Sequence, residues 1–260
     1  MKIFETHAHL DDESFDEDRT ELINNMFDES GALDCIVNVG ASLEGCYASL
    51  ELAKQYDRIY AAIGVHPDDI LRLTDKEMEW LYETATTNEK VVAIGEIGLD
   101  YHYPEPPKDI QREWFERQMD VAVKAGKPVI IHSREACQDT MDILKKSCAR
   151  KVGGIIHCYS YSREAAKDFL DMNFYIGVGG VITFKNARRL VEAVQYIPMD
   201  RIVLETDCPY MAPEPHRGTR NDSRNIKYVA DKIAQIKGLT SQEVIDITNA
   251  NARRLFFKEK

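Results

Sequence analysis

Short, nearly uninterrupted apolar runs recur along this chain, and each is followed by a longer stretch in which apolar residues return every three or four positions. The runs cover residues 3–6, 35–40, 59–65, 91–96, 128–132, 153–157, 174–178 and 201–207. Their length and β-branched content predict buried strands. The intervening periodicity predicts amphipathic helices over 17–29, from Ser42 as N-cap through Leu52, and over 75–87, 110–125, 136–148, 163–172 and 187–196. Two more helices, 226–236 and 241–255, follow the last strand. Eight apolar strands alternating with helices imply a parallel sheet covered on both faces. Eight such units in 260 residues predict an α/β chain folded as one (β/α)8 TIM barrel spanning residues 1–260. A doubly wound open sheet is the alternative. Against it, no G-x-G-x-x-G follows the first strand and no G-x-x-x-x-G-K-[ST] occurs anywhere.

Composition narrows the class. The chain is 44% hydrophobic and 30% charged with net charge -11, the profile of a soluble globular protein. No apolar run approaches the roughly 18 residues of a membrane span, and the chain enters a strand at once without a signal-peptide pattern, so no membrane partner and a cytoplasmic location are expected. Six cysteines without C-x-x-C spacing are expected to be reduced and mostly buried. The acidic balance argues against broad binding of duplex nucleic acid and leaves room for a local basic patch.

The chemistry-bearing residues sort to one place. His7 and His9 follow the first run, His66 the third, Glu96 the fourth, His132 the fifth, His157 the sixth and Asp207 the eighth. Barrels of this type place their active sites at those C-terminal strand ends. His7 and His9, two apart on a strand, share a face and can take one ion together. Taken singly, each residue has a structural explanation: a hydrogen-bonded His, a Glu96 paired with Arg, an Asp207 capping the turn before Pro209. Gathered on one rim, they form a costly burial of imidazoles and carboxylates unless a cation joins them. Four imidazoles and two carboxylates without thiolate suit Zn²⁺, Mn²⁺ or Mg²⁺. Six donors exceed one tetrahedral set, so two divalent cations sharing a carboxylate fit the count, as in sites whose ions stand roughly 3.5–4 Å apart.

The motifs E-T-H-A-H-L at 5–10, G-V-H-P at 64–67, G-E-I-G-L-D-Y at 95–101, P-V-I-I-H-S-R at 128–134, I-H-C-Y-S at 156–160, and E-T-D-C-P-Y-M-A-P with R-G-T-R-N at 205–213 and 217–221 resemble the TatD-like deoxyribonucleases among amidohydrolase-type metal hydrolases. The resemblance runs almost the whole length. It implies that His7, His9, Glu96 and Asp207 hold one metal and that Glu96, His132 and His157 hold the second, with Glu96 as bridge. Glu96 stands where many amidohydrolase relatives carry a modified lysine. The chain departs from many members at His102, where a basic residue often follows the tyrosine.

The expected reaction is phosphodiester hydrolysis by water activated between two metals, as a 3′ to 5′ exonuclease on single-stranded DNA ends. Asp207 would accept the proton. Glu205, two residues earlier, would orient the water or a ligand, or serve only as a salt-bridge partner. His66, Arg134, Arg217, Arg220 and Arg224 are candidate phosphate contacts, and Tyr159, Tyr161 and Tyr210 candidate base-stacking rings. The plain alternative is solvated arginines and packed tyrosines. Two other functions share the metal centre: hydrolysis of a small ester, amide or lactone, and a metal-carrying barrel that only binds partners.

Overall fold

The computed structural model describes residues 2–28 and 31–258. Eight strands, β1 (Ile3–Ala8), β2 (Leu33–Val39), β3 (Ile59–Ile63), β4 (Val91–Asp100), β5 (Val129–Arg134), β6 (Gly154–Ile156), β7 (Phe174–Val178) and β8 (Ile202–Leu204), pair in sequence order, all parallel. Helices α1 (Arg19–Phe27), α2 (Leu43–Gln55), α3 (Asp75–Thr87), α4 (Lys108–Ala125), α5 (Cys137–Lys146), α6 (Arg163–Asp171) and α7 (Arg188–Tyr196) connect them, and α8 (Ile226–Lys237) and α9 (Ser241–Phe257) follow. The (β/α)8 architecture expected from the alternation is what the chain adopts. The first predicted helix, 17–29, ends on Glu29, which lies outside the described residues.

Strand lengths differ from the apolar runs in two informative places. β4 continues four residues beyond Glu96, because Ile97 and Leu99 pack outward while Gly98 and Asp100 pair with His132 and Arg134 of β5. Gly98 has φ +149°, and a Cβ there would stand 1.9 Å from the His132 carbonyl oxygen, so only glycine fits this approach. β8 is shorter than its run and ends at Leu204. Beyond it the chain turns, with Asp207 in the left-handed region at φ 57°.

Apolar residues form two layers. An outer cluster, including Ile36, Ile63, Ile94, Ile131 and Leu204, lies between sheet and helices. An inner one, Phe4, Val37, Val92, Ile130, Ile155, Tyr175 and Val203 with Phe256 of α9, fills the barrel. Phe4 faces inward with its partner Cys35, whereas Ala8, opposite Asn38, faces outward. The ladder slips between Glu5 and Ala8, and this bulge turns His7 and His9 into the mouth above the inner core. β4 slips in the same way between Ile94 and Ile97, around Glu96.

The barrel's seam, where β8 meets β1, lacks a regular ladder. It is closed by one bridge, Ala8 to Cys208, and by backbone bonds from Asp207 N to His7 O and His9 N to Cys208 O. Side chains complete it: Thr6 Oγ1 donates to Leu204 O, and the Glu5 carboxylate accepts from His7 N and Thr206 N. All six cysteines are free thiols; Cys35, Cys46 and Cys208 are buried and Cys148 is exposed. No helix among the described residues is long and apolar enough to cross a membrane.

Candidate metal centre

Six side chains, at the C-terminal ends of β1, β4, β5 and β6 and in the segment after β8, converge in the barrel mouth. His7 Nε2 and His9 Nε2 are 3.1 Å apart, with Glu96 Oε2 at 3.4 Å from the first and Asp207 Oδ1 at 3.4 Å from the second. Glu96 turns its other oxygen away, Oε1 lying 2.8 Å from His132 Nδ1 and 3.7 Å from His157 Nε2. Asp207 Oδ1 is also 3.7 Å from His157 Nε2. Donors held about 2.0–2.2 Å from a divalent ion stand about 3.0–3.6 Å from one another. The separations in the mouth match that spacing, and two basic nitrogens aimed at each other at 3.1 Å are the arrangement expected of ligands that share a cation. The residues therefore fit a divalent metal centre, with Glu96 facing two histidines on each side.

Two of the four imidazoles are hydrogen-bonded from behind, and a third faces a buried carboxylate at ion-pair distance. His9 Nδ1 lies 2.8 Å from Val39 O, His132 Nε2 lies 3.0 Å from Asp100 Oδ2, and His157 Nδ1 lies 3.2 Å from Glu205 Oε2. Such outer partners set the tautomer and the ring direction. Glu205 is fully buried, accepts a hydrogen bond from Cys158 N, and occupies space that a Cβ on Gly177 would invade at 2.3 Å from Oε2. His7 Nδ1 is buried without a partner, its ring stacked on His157 with centroids 3.5 Å apart. Asp100, 2% exposed, was not among the residues expected from sequence. Its signal is the continuation of β4: with Ile97 and Leu99 outward, positions 98 and 100 face the mouth.

The charge state follows from these contacts. Burial alone would depress the proton affinity of His9, His132 and His157, but Asp207, Asp100, Glu96 and Glu205 beside them outweigh it. Their pKa values rise to about 9, about 9 and about 10. Burial likewise pushes Glu96, Asp100 and Asp207 upward, and the facing histidines overcome it, so all three are held below the usual carboxylate range. His66, its ring 4.2 Å from that of His132, is pushed down to about 3 by burial and by that neighbour, so it is neutral. Its nitrogen set with Asp100 and His132 is a further group of close donors.

The expected substrate contacts divide. Arg134 is 46% exposed at the edge of the mouth, 3.9 Å from Asp100 and over the Tyr103 ring, and is available to an anion. Arg217 is exposed and lies over Phe184. Arg220 is committed to Asp18 through two bonds of 2.9 and 2.6 Å and to Ser14 O, and Arg224 is paired with Asp222. Tyr159 is buried and donates to Ser162 O, and Tyr161 is bonded to Ser133. Tyr210 is 55% exposed beside His9, its hydroxyl donating to Asp12.

Known proteins similar to this chain are described as metal-dependent hydrolases. Residues 4–257 match the family model described as TatD related DNase. An uncharacterized metal-dependent hydrolase of Bacillus subtilis, YabD, is 46% identical over 254 residues, covering 98% of each chain. A second from Escherichia coli, YcfH, is 36% identical over 260 residues, covering 98% of this chain and 96% of that one. The crystal structure of YJJV, a TatD homolog from Escherichia coli, superposes with a TM-score of 0.91 at 28% identity over 98% of both chains.

Proposed function

The chain belongs to the TatD-related DNase family of metal-dependent hydrolases, and from that premise we propose that it is a deoxyribonuclease removing nucleotides from single-stranded DNA ends in the 3′ to 5′ direction. The observation that carries the reading is the division of the Glu96 carboxylate between His7 with His9 and His132 with His157. His7, His9, Glu96 and Asp207 would hold one cation, and Glu96, His132 and His157 a second. When bound, Mg²⁺, Mn²⁺ or Zn²⁺ supplies an acidified water and neutralises charge on the phosphate oxygens.

The chain's own groups do the rest. Asp207 Oδ1 faces His9 and His157 from the segment after β8 and is the acceptor placed for the water's proton. Glu205 and Asp100 act through His157 and His132, fixing which nitrogen each ring turns to the centre. His66, neutral and beside His132, offers a ring nitrogen to a phosphate oxygen, and Arg134 offers a guanidinium suited to gripping two. Exposed Tyr103 and Tyr210 flank the mouth and provide faces for an unpaired base.

The test is metal analysis of the purified protein, followed by digestion of 3′- and 5′-labelled single-stranded oligonucleotides with Mg²⁺, Mn²⁺ and Zn²⁺ compared. Release of mononucleotides from the 3′ end is expected. Hydrolysis of small esters, amides or lactones with no attack on any oligonucleotide would overturn the nuclease reading. Glu96→Ala is expected to abolish turnover and lower metal content with the fold intact; full activity in that variant would remove the bridging role.

A further inference from the structure

The loops around the mouth are electrically polarised. After β1 the chain presents Asp11, Asp12, Glu13 and Glu17, with Asp16 and Asp18 answered by Arg19 and Arg220, and after β3 it presents Asp68 and Asp69. Across the rim, the segments after β6 and β7 reverse this sign. Between α6 and α7 lies an open cleft of about 870 Å³ whose lining includes Arg163, Arg188 and Arg189, the carboxylates Glu164 and Glu192, and Tyr196. Lys185 is exposed next to it in sequence, and Arg217 reaches the adjacent Phe184 ring. Two glutamates answer the cleft's three guanidiniums, Glu164 at 3.0 Å from Arg163 and Glu192 at 2.9 Å from Arg188. Both pairs are exposed, the kind whose net stabilisation is small and which an incoming phosphate readily replaces. Arg189 has no ion-pair partner among the described residues. In a chain of net charge -11 this is a local reversal.

Its position and chemistry suit one kind of ligand. Ser162 caps α6 five residues after His157, so at most about 18 Å of chain separates the cleft's edge from the centre. Guanidiniums grip phosphate oxygens, and Tyr196, 45% exposed with Arg163 at 6.0 Å from its ring, presents a face on which a base can stack. We infer that the cleft between α6 and α7 is a second anion-binding groove that holds the backbone of a single DNA strand outward of the end being cleaved. The acidic loops after β1 and β3 repel the strand from the opposite side, so it lies over the β6 and β7 side of the mouth. This rests on the nuclease reading and adds to it a direction for the substrate and a length requirement.

The test compares wild type with the Arg163→Ala, Arg188→Ala, Arg189→Ala triple variant and with Arg189→Glu alone, a milder change at an exposed site. Two substrates are used, a 20-nucleotide single strand and bis(p-nitrophenyl) phosphate, which is too small to reach the groove. Binding of the fluorescein-labelled strand is also followed by anisotropy in EDTA over a range of salt. Both variants should raise the strand's KM, the triple variant by at least about tenfold, with small-substrate turnover unchanged. The triple variant's salt dependence should be shallower by about 2 in log–log slope, since each phosphate of a single strand that an arginine neutralises adds roughly 0.7. If wild type cleaves the strand and both variants keep its KM and salt slope, the groove is refuted and the nuclease reading stands. Failure of wild type to cleave or bind any strand refutes the reading itself, and the groove with it.

Discussion

His132 shows how much of the centre is decided by single contacts. Its Nδ1 faces Glu96 because Asp100 holds Nε2 at 3.0 Å from the other side. Removing that support with Asp100→Ala should weaken cation binding at the His132 and His157 locus by about 10–100-fold. Calorimetric titration of Mn²⁺ into the EDTA-stripped variant measures this, and unchanged affinity would show that Asp100 does not orient the ring. The histidines also set a pH dependence. His9, His132 and His157 titrate at about 9, about 9 and about 10 in the metal-free fold against 6.5 when unfolded. The folded state keeps these protons above pH 6.5 while the unfolded state loses them, so their stabilisation is full below pH 6.5 and declines as pH rises toward 10. His7 and His66 are pushed down, are neutral in both states above 6.5, and do not change that sign. The EDTA-treated protein's Tm should therefore fall between pH 6.5 and 9. Cation affinity should rise over the same window with proton release, read from the buffer dependence of the binding enthalpy; a flat response would count against the proton-for-metal exchange. At this scale the sequence displayed His7, His9, Glu96, His132, His157 and Asp207 through their places at strand ends. It hid Asp100 because the apolar run seemed to stop at Glu96, and it could not reveal that Arg220 and Arg224 are spent on Asp18 and Asp222.

Among elements, the strands and helices were legible because each strand is apolar on both faces and each helix on one. Their ends were not. The slips in β1 and β4 that turn His7 and Glu96 inward break the two-residue alternation, and nothing local in the sequence marks them. The turn after Leu204 sends Glu205 behind His157 and Asp207 to the front, although two-residue spacing put them on one face. α9 does separate work at the other end of the barrel. Asn251 donates to Met199 O and Ile202 O at 2.8 Å each, and Asn249 to Lys2 O, all at the start of β8 and β1. Asn251→Ala removes both of these side-chain hydrogen bonds, Met199 O keeping only its bond from Ile202 N, and should cost about 1–3 kcal/mol. Urea denaturation measures that loss. Turnover per folded molecule should stay at the wild-type level, because the change lies at the face opposite the centre; reduced kcat would show that the faces are coupled.

For the whole molecule, the barrel is built from two apolar clusters that include none of the proposed metal ligands. Chelation should therefore leave far-UV circular dichroism unchanged while lowering Tm, and readdition of cation at about 100 times its Kd should restore about 2.7 kcal/mol for each of the two proposed sites. Loss of helical signal in EDTA would show instead that the fold depends on the ions. Net charge -11 was plain in the sequence, but its uneven distribution around the rim emerges only when distant loops are brought together. The seam has its own consequence for how the molecule comes into being. His7 and His9 are synthesised some two hundred residues before Asp207, and the bond from Asp207 N to His7 O ties the two ends of that interval. Until the eighth strand is synthesised and docks on the first, Asp207 cannot reach His7 and His9, and a nascent polypeptide lacks the complete set of proposed metal ligands.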